Sequence, residues 1–223
     1  MIELGVESPQ ENSRLKINID NSTIAYSLNA TSIQNLIIQS IAKYDADKTG
    51  LADFAFEPSG GSIISTRCSK TYSSYSRYLS YLWFPITRMD YNPRVVIQPG
   101  IHPGECWSFE GSVGFLMIQL SGQVMISAVS YEHIPIEISP EGHIESAPKQ
   151  FEVYGLNSVD SENKILLGNF TYLATREPLQ YFPVQSFRIA EFRFLSNHGH
   201  PKFTCLYRVR VHGQRVRPGY NKP

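Results

Sequence analysis

The sequence has no surplus of either charge, no long apolar run and few cysteines, and each absence removes a class of function. Its 20 basic residues are matched by 20 acidic ones. The chain therefore lacks the broad positive field by which proteins collect phosphate backbones, and no nucleic-acid partner is expected. No stretch approaches the roughly 18 consecutive apolar residues of a membrane-spanning helix. The start, Met1-Ile2-Glu3, lacks the charged-then-apolar layout of a signal peptide. A soluble chain, cut from a longer protein, is the expectation.

Recognisable catalytic signatures are missing too: G-x-S-x-G, a Walker loop, G-x-G-x-x-G, C-x-x-C and H-E-x-x-H do not occur. His102-Pro-Gly-Glu-Cys106 places an imidazole, a carboxylate and a thiol close together, and His133, His200 and Cys205 could complete a zinc set. Pro103-Gly104 reads as a turn, however, and no ligand spacing supports a metal or a Cys-His nucleophile. Gly60-Gly61-Ser62 is read as a backbone bend and not a phosphate cradle. No enzyme is expected.

What is present suffices to fold. Apolar residues make up 42% of the chain, aromatics 12% and charged residues 18%, a balance that can bury enough surface to offset ordering entropy. The 223 residues fit one domain, or one with an appended element. The three cysteines, Cys68, Cys106 and Cys205, allow one disulfide with one thiol left over, or three inert buried thiols. The acceptor sequons Asn21-Ser22-Thr23, Asn29-Ala30-Thr31 and Asn169-Phe170-Thr171 have meaning only in a secretory or lumenal compartment.

Residues 1–30 are polar without a sustained period and read as a tail. Thr31-x-x-Gln34 has capping-box form, and Ile33, Leu36, Ile37, Ile41 and Tyr44 recur at helical spacing up to Gly50, predicting an amphipathic helix over 31–50. A lone helix of that length is marginal in water, so its stripe must pack on the domain or on copies of itself. After Gly50 the period becomes two. Strands are predicted at Arg94–Gln98, Phe115–Leu120, Val124–Tyr131, Phe151–Tyr154, Ile165–Tyr172, Leu179–Val184, Ile189–Leu195 and Thr204–His212, an all-β pattern that argues for an antiparallel β-sandwich. Between Thr71 and Ile86, Tyr72, Tyr75, Tyr78, Tyr81, Trp83 and Phe84 stand among serines. That mixture suits a contact surface, or a hairpin folded over its own core.

Several long segments, in order, carry a family resemblance. Leu51-Ala-Asp-Phe-Ala-Phe-Glu-Pro-Ser-Gly-Gly-Ser-Ile-Ile-Ser-Thr-Arg-Cys68 resembles the opening of the SUN domain, the C-terminal domain of nuclear-envelope proteins that bind KASH peptides. Arg94-Val-Val-Ile-Gln-Pro-Gly-Ile-His-Pro-Gly-Glu-Cys-Trp-Ser-Phe109, Glu132-His133-Ile-Pro, Ser146-Ala-Pro-Lys-Gln-Phe151, Leu167-Gly-Asn-Phe-Thr-Tyr172 and Asn197-His-Gly-His-Pro-Lys-Phe-Thr-Cys-Leu-Tyr-Arg-Val-Arg-Val-His-Gly213 follow. The resemblance implies a SUN-type, galactose-binding-like jelly-roll sandwich over 51–213, ending in a short tail at 214–223.

It also implies a site. The preceding helix would drive homotrimerisation through a coiled coil, or hold an autoinhibited form. The family's paired cysteines fall on Cys106 and Cys205, and its remaining cysteine, which bridges to the bound KASH peptide, on Cys68. A protruding hairpin lid, with Thr71, Tyr72, Tyr75, Tyr78, Tyr81, Leu82 and Trp83, would receive the peptide by strand addition. The pocket for the peptide's terminal carboxylate falls on His133, Ser146, Phe203 and Tyr207, with Ser146 and Tyr207 as hydroxyl donors and His133 as an N–H donor or partial charge. Phe203 stands where the family often has Tyr, so one polar contact is lost or taken by water. A K⁺ or Na⁺ ion is implied in the loop before Cys106, held by backbone carbonyls of Val95, Gln98, Gly100 and Glu105. The implied setting is the perinuclear space, with the membrane span upstream at the inner nuclear membrane. The implied role is a bridge between nucleus and cytoskeleton. A carbohydrate-binding sandwich module is the alternative from another class, because fold alone does not separate the two. A thiol-dependent enzyme using Cys106 is the most distant.

Overall fold

The computed structural model describes residues 15–19, 22–26, 30–72, 91–156, 164–184 and 189–216. The chain divides into two compact units, Met1–Leu51 and Ala52–Pro223.

The first unit holds a hairpin, β1 (Leu15–Ile19) and β2 (Ser22–Tyr26), paired antiparallel with Ile17 opposite Ile24. The sequence reading had only a tail here. The correction is physical: Leu15, Ile17 and Ile19 alternate with polar residues over only five positions, a run too short to stand out in a polar stretch. The helix α1 (Ala30–Asp45) follows. Its Leu36, Ile37, Ile38 and Ile41 are all more than half exposed. Gly50, at φ +66°, returns its N–H to the Ala46 carbonyl at 2.9 Å and closes the turn beyond α1.

The second unit is an antiparallel β-sandwich. Its strands are β3 (Ser62–Ser65), β4 (Trp107–Glu110), β5 (Gly114–Gln119), β6 (Val124–Glu132), β7 (Gln150–Leu156), β8 (Ile165–Thr171), β9 (Leu179–Pro183), β10 (Ile189–Phe194), β11 (Phe203–Leu206) and β12 (Arg208–Arg215). A five-stranded sheet runs β3-β5-β10-β7-β8, a three-stranded sheet β12-β6-β9, and β11 pairs with β4. The core gathers Phe151, Phe192 and Phe194 from the first, Ile126, Val129, Phe182, Val209 and Val211 from the second, and Trp107 and Phe109 from β4. Phe151 meets Phe182 edge-on at 5.1 Å, joining the two sheets. Among the described residues no helix is long and apolar enough to cross a membrane.

Two predicted strands are corrected. Arg94–Gln98 lies in a 3₁₀ helix, Pro93–Ile97, because Asn92 caps it, accepting the Arg94 N–H at 3.1 Å, and Pro93 presets the first φ. Val96 and Ile97 still reach the core, fully buried. Thr204–His212 is two strands: the chain leaves β4 after Leu206 and joins β6 from Arg208, with Tyr207 at the crossing. β3 and β4, of four residues each, escaped the pattern altogether.

The polar face of β12 is as buried as its apolar face. Arg208, Arg210 and His212 are each no more than 2% exposed, so each must be paired. Arg208 meets Asp53 at 3.3 Å, Arg210 meets Glu132 at 2.6 Å, and His212 joins Ser130 at 2.9 Å and the Ala52 carbonyl at 3.0 Å. Asp53 also accepts the N–H groups of Ala55 and Val211. Gly61 lies so close to the Ala55 carbonyl that a Cβ has no room, which fixes the bend before β3. A disulfide joins Cys106 to Cys205, 99 residues apart, with Cα atoms 5.7 Å apart.

Removing one member of the buried Arg210–Glu132 pair, as in Arg210→Met, should cost about 3–5 kcal/mol, read as a lower urea midpoint. The double change Arg210→Met with Glu132→Gln should recover part of that loss. A single substitution with an unchanged midpoint would show that the pair does not hold the sandwich.

Candidate functional site

The end of β6 and the β11–β12 crossing bring two of the expected residues into contact. His133, one residue past β6, is held by its own N–H, which donates to the Pro178 carbonyl at 3.1 Å. Its ring lies edge-on to Tyr207, with centroids 4.6 Å apart, and near Tyr172 and Tyr131 at 6.4 and 6.3 Å. Nδ1 lies 3.1 Å from the Ile134 carbonyl; a carbonyl only accepts, so Nδ1 carries the hydrogen. Nε2 is left buried and, among the described residues, without a hydrogen-bond partner. Burial pushes the imidazolium pKa down to about 4, so the ring is neutral near pH 7. Of the two roles expected for His133, an N–H donor or a partial charge, the neutral ring offers a lone-pair acceptor at Nε2 and would donate there only as the imidazolium.

Tyr207 supplies the opposite polarity. Its hydroxyl accepts the Gly104 N–H at 3.1 Å and keeps its own hydrogen to donate. Burial raises its pKa, and Glu141 and Glu105 add to this, so the phenol stays protonated. Ser146 is half-buried and is joined to the same strand through its carbonyl, which accepts the Cys205 N–H at 2.8 Å. Phe203 belongs to a neighbouring group: its ring lies 3.9 Å from His200 and stacks on Tyr72 at 4.7 Å.

Residues that sequence reasoning gave no role complete the surroundings. Tyr131 donates to the Cys205 carbonyl at 3.4 Å and Tyr172 to the Pro178 carbonyl at 3.1 Å. His198 donates from Nε2 to the Tyr172 carbonyl at 3.0 Å, and burial lowers its pKa. Both histidines here are thus neutral, and burial keeps both tyrosines protonated. Tyr172 and His198 both sit inside the quoted segments, but nothing in their spacing announces that their rings approach each other, 6.2 Å apart and beside His133.

The segment expected to form a lid starts beside β4. Thr71 bridges to Phe109 and accepts the Trp107 indole N–H at 3.1 Å, while the Tyr72 N–H donates to the Ser108 carbonyl at 2.8 Å. Tyr75, Tyr78, Tyr81, Leu82, Trp83 and Phe84 lie outside the described residues. Cys68 is a free, exposed thiol. It follows Arg67, whose φ of +50° makes a turn. Arg67 is pinned to the buried Glu191 at 2.5 Å, and Lys164 reaches the same carboxylate at 2.7 Å. Cys106 and Cys205 are bonded to each other, the pairing that the resemblance implied, so neither is a free thiolate for a zinc ion or for nucleophilic attack.

In the loop before Cys106, Gly100 and Gly104 take φ of +84° and +88°, turns that favour glycine. The Val95 carbonyl accepts the Gln98 N–H at 3.2 Å, while those of Gln98, Gly100 and Glu105 accept none from the described backbone. The Gly104 N–H and the disulfide tie this loop to Tyr207 and its strand.

Comparison with known proteins follows the same lines. Residues 86–215 match the family described as Sad1 / UNC-like C-terminal. The human SUN domain-containing protein 1 is 49% identical over 188 residues, covering 81% of this chain and 24% of the relative. The Klaroid protein of Drosophila melanogaster is 44% identical, covering 82% and 20%. The nuclear migration and anchoring protein unc-84 of Caenorhabditis elegans is 43% identical over 210 residues, covering 90% and 19%. This chain spans a quarter or less of the length of these relatives. Among solved structures, a family 32 carbohydrate-binding module from Streptococcus pneumoniae superposes with a TM-score of 0.52 at 12% identity, covering 73% of this chain and all of that one. A chitobiase fragment from Bacteroides thetaiotaomicron gives 0.52 at 18%, covering 71% and 91%. Those likenesses establish the jelly-roll-like sandwich alone, whereas the sequence matches extend over most of the chain: the chain belongs to the SUN-domain family.

Proposed function

We propose that this SUN domain binds the C-terminal tail of KASH proteins in the perinuclear space and forms the inner half of a bridge from nucleus to cytoskeleton. The observation that carries the reading is the His133 imidazole, buried beside Tyr207 with one nitrogen unpartnered. A buried polar atom without a partner costs free energy; a peptide carboxylate in that place offsets the cost when Nε2 takes up a proton, because the neutral nitrogen and the carboxylate are both acceptors. Tyr207 and Ser146 add hydroxyl donors suited to a carboxylate. Thr71 and Tyr72, already paired with β4, start the lid on a strand edge to which an extended peptide can add. Phe203 and Tyr72 offer stacked rings to a proline near the peptide end.

Two further contacts belong to this reading. Cys68 forms a disulfide with a cysteine of the peptide, on a turn that the Arg67–Glu191 pair holds rigid. The exposed Leu36, Ile37 and Ile41 stripe of α1 associates three chains into a homotrimer. A monovalent cation on the carbonyls of Gln98, Gly100 and Glu105 would add a fixed positive charge and stiffen the loop whose Gly104 orients Tyr207.

The test is calorimetry with a KASH tail bearing a free carboxylate against the same peptide as a C-terminal amide, with mass followed by light scattering. The acid should bind at least about tenfold more tightly, a difference of about 1.4 kcal/mol. Equal affinities, or binding of a glycan and neither peptide, would overturn the reading.

A pH dependence follows from the His133 geometry. Free His133 has a pKa of about 4, and a carboxylate at Nε2 favours the imidazolium, so the bound pKa is the higher one. The complex then binds more protons than its parts, so affinity for the acid peptide should rise as pH falls through the bound-state pKa toward about 4, the pKa of the free ring. His133→Gln should flatten that profile; a profile unchanged by the substitution counts against His133 as the anion contact.

Cys68→Ser should abolish the reducible crosslink to a cysteine-bearing peptide, while the noncovalent affinity stays within about threefold. Ile37→Asp on α1 should shift the scattering mass from trimer to monomer; a variant that keeps the wild-type mass would remove α1 from the assembly.

A further inference from the structure

β8 is an edge strand of the five-stranded sheet: among the described residues it pairs with β7 alone. Its first residues, Ile165 and Leu166, are about half exposed, at 49% and 52%. An open edge with exposed apolar side chains is a template for pairing with another chain. Further along β8, Asn169 stands opposite Glu152 and Thr171 opposite Gln150, and both Asn169 and Thr171 are exposed. Phe170 lies between them and turns inward, 5.7 Å from Phe151 and 5.1 Å from Phe182.

This arrangement follows from the strand's period of two. An acceptor sequon places its amide and its hydroxyl two residues apart, so a strand sets both on one face and the middle residue on the other. Here that face is solvent, and the Asn169 amide makes no hydrogen bond to a described residue. A bulky glycan therefore fits on the folded domain without moving any core group.

We propose that Asn169 is an N-glycosylation site whose glycan shields the open edge of the five-stranded sheet. The step needs a lipid-pyrophosphate-linked oligosaccharide as donor. The Asn169 amide nitrogen forms a bond to the anomeric carbon of the first sugar, the bond from that carbon to the pyrophosphate oxygen breaks, the amide loses one proton, and the lipid pyrophosphate leaves. The proposal rests on the lumenal placement above. The other sequon asparagines, Asn21 and Asn29, lie outside the described residues.

The test directs the chain into the endoplasmic-reticulum lumen of cultured animal cells and treats the product with peptide N-glycosidase in heavy-oxygen water, which turns a glycosylated Asn into labelled Asp. Labelled Asp at position 169 is expected, and one glycosidase-sensitive gel step should vanish in Asn169→Gln and in Thr171→Ala but persist in Thr171→Ser. An unlabelled Asn169, in cells that label a control glycoprotein, would overturn the site. A glycan on the lumen-directed chain but none on the full-length protein in its own cells would instead overturn the lumenal placement. Removing the glycan should increase light scattering at high protein concentration; unchanged scattering would overturn the shielding role.

Discussion

The sandwich depends on one constraint: β12 is buried on both faces, and one of those faces is charged. Val209 and Val211 fill the core on one side, while Arg208, Arg210 and His212 are equally inaccessible on the other. Each buried cation or ring then needs a fixed partner, because an unpaired buried charge costs several kcal/mol. Those partners come from Asp53, Glu132, Ser130 and the Ala52 carbonyl. A one-residue slip of β12 against β6 would drive the arginines into the aromatic core, so the register has a single solution. The same pairs draw the segment before β3 alongside β12, since Asp53 accepts the Val211 N–H and the Phe54 N–H donates to the Val211 carbonyl.

That register seats the candidate site. Glu132 is the last residue of β6 and is held by Arg210; His133 follows at once, so its ring inherits a position set by the buried pair. Tyr207 is likewise the residue between β11 and β12 and is fixed by the two strands it joins. The disulfide and the Gly104 N–H anchor the facing loop to that same crossing. The candidate site is thus built from places where a strand ends or changes sheets. There the backbone is irregular but its neighbours are fixed, which is how a ring nitrogen comes to be buried without a partner among the described residues.

Much of this was legible in the sequence. The alternating runs named most of the strands, and the resemblance carried by the quoted segments paired Cys106 with Cys205; the same segments supplied His133, Ser146 and Tyr207 as candidates, of which His133 and Tyr207 meet in space. Other features were not. Arg94–Gln98 carries strand-forming residues, yet Asn92 and Pro93 start a 3₁₀ turn that delivers the same apolar side chains to the core. The alternation through Thr204–His212 continues unbroken across Tyr207, and only the change of pairing partner reveals two strands. Leu15–Ile19 and Ser22–Tyr26 were too short and too polar in their surroundings to be read at all.

The division has a physical cause. Local patterning, capping residues and long matched segments are properties of the chain in order, so the sequence by itself determined the all-β class, the amphipathic helix α1 and the family. Which groups are buried together is a property of residues far apart in the chain, and only the tertiary structure decided it. It set Arg208 against Asp53, 155 positions away, and put β8 at an edge. It also committed His133 Nδ1 to a carbonyl, and so made the other nitrogen of the neutral ring an acceptor, a choice of tautomer that no sequence pattern specifies.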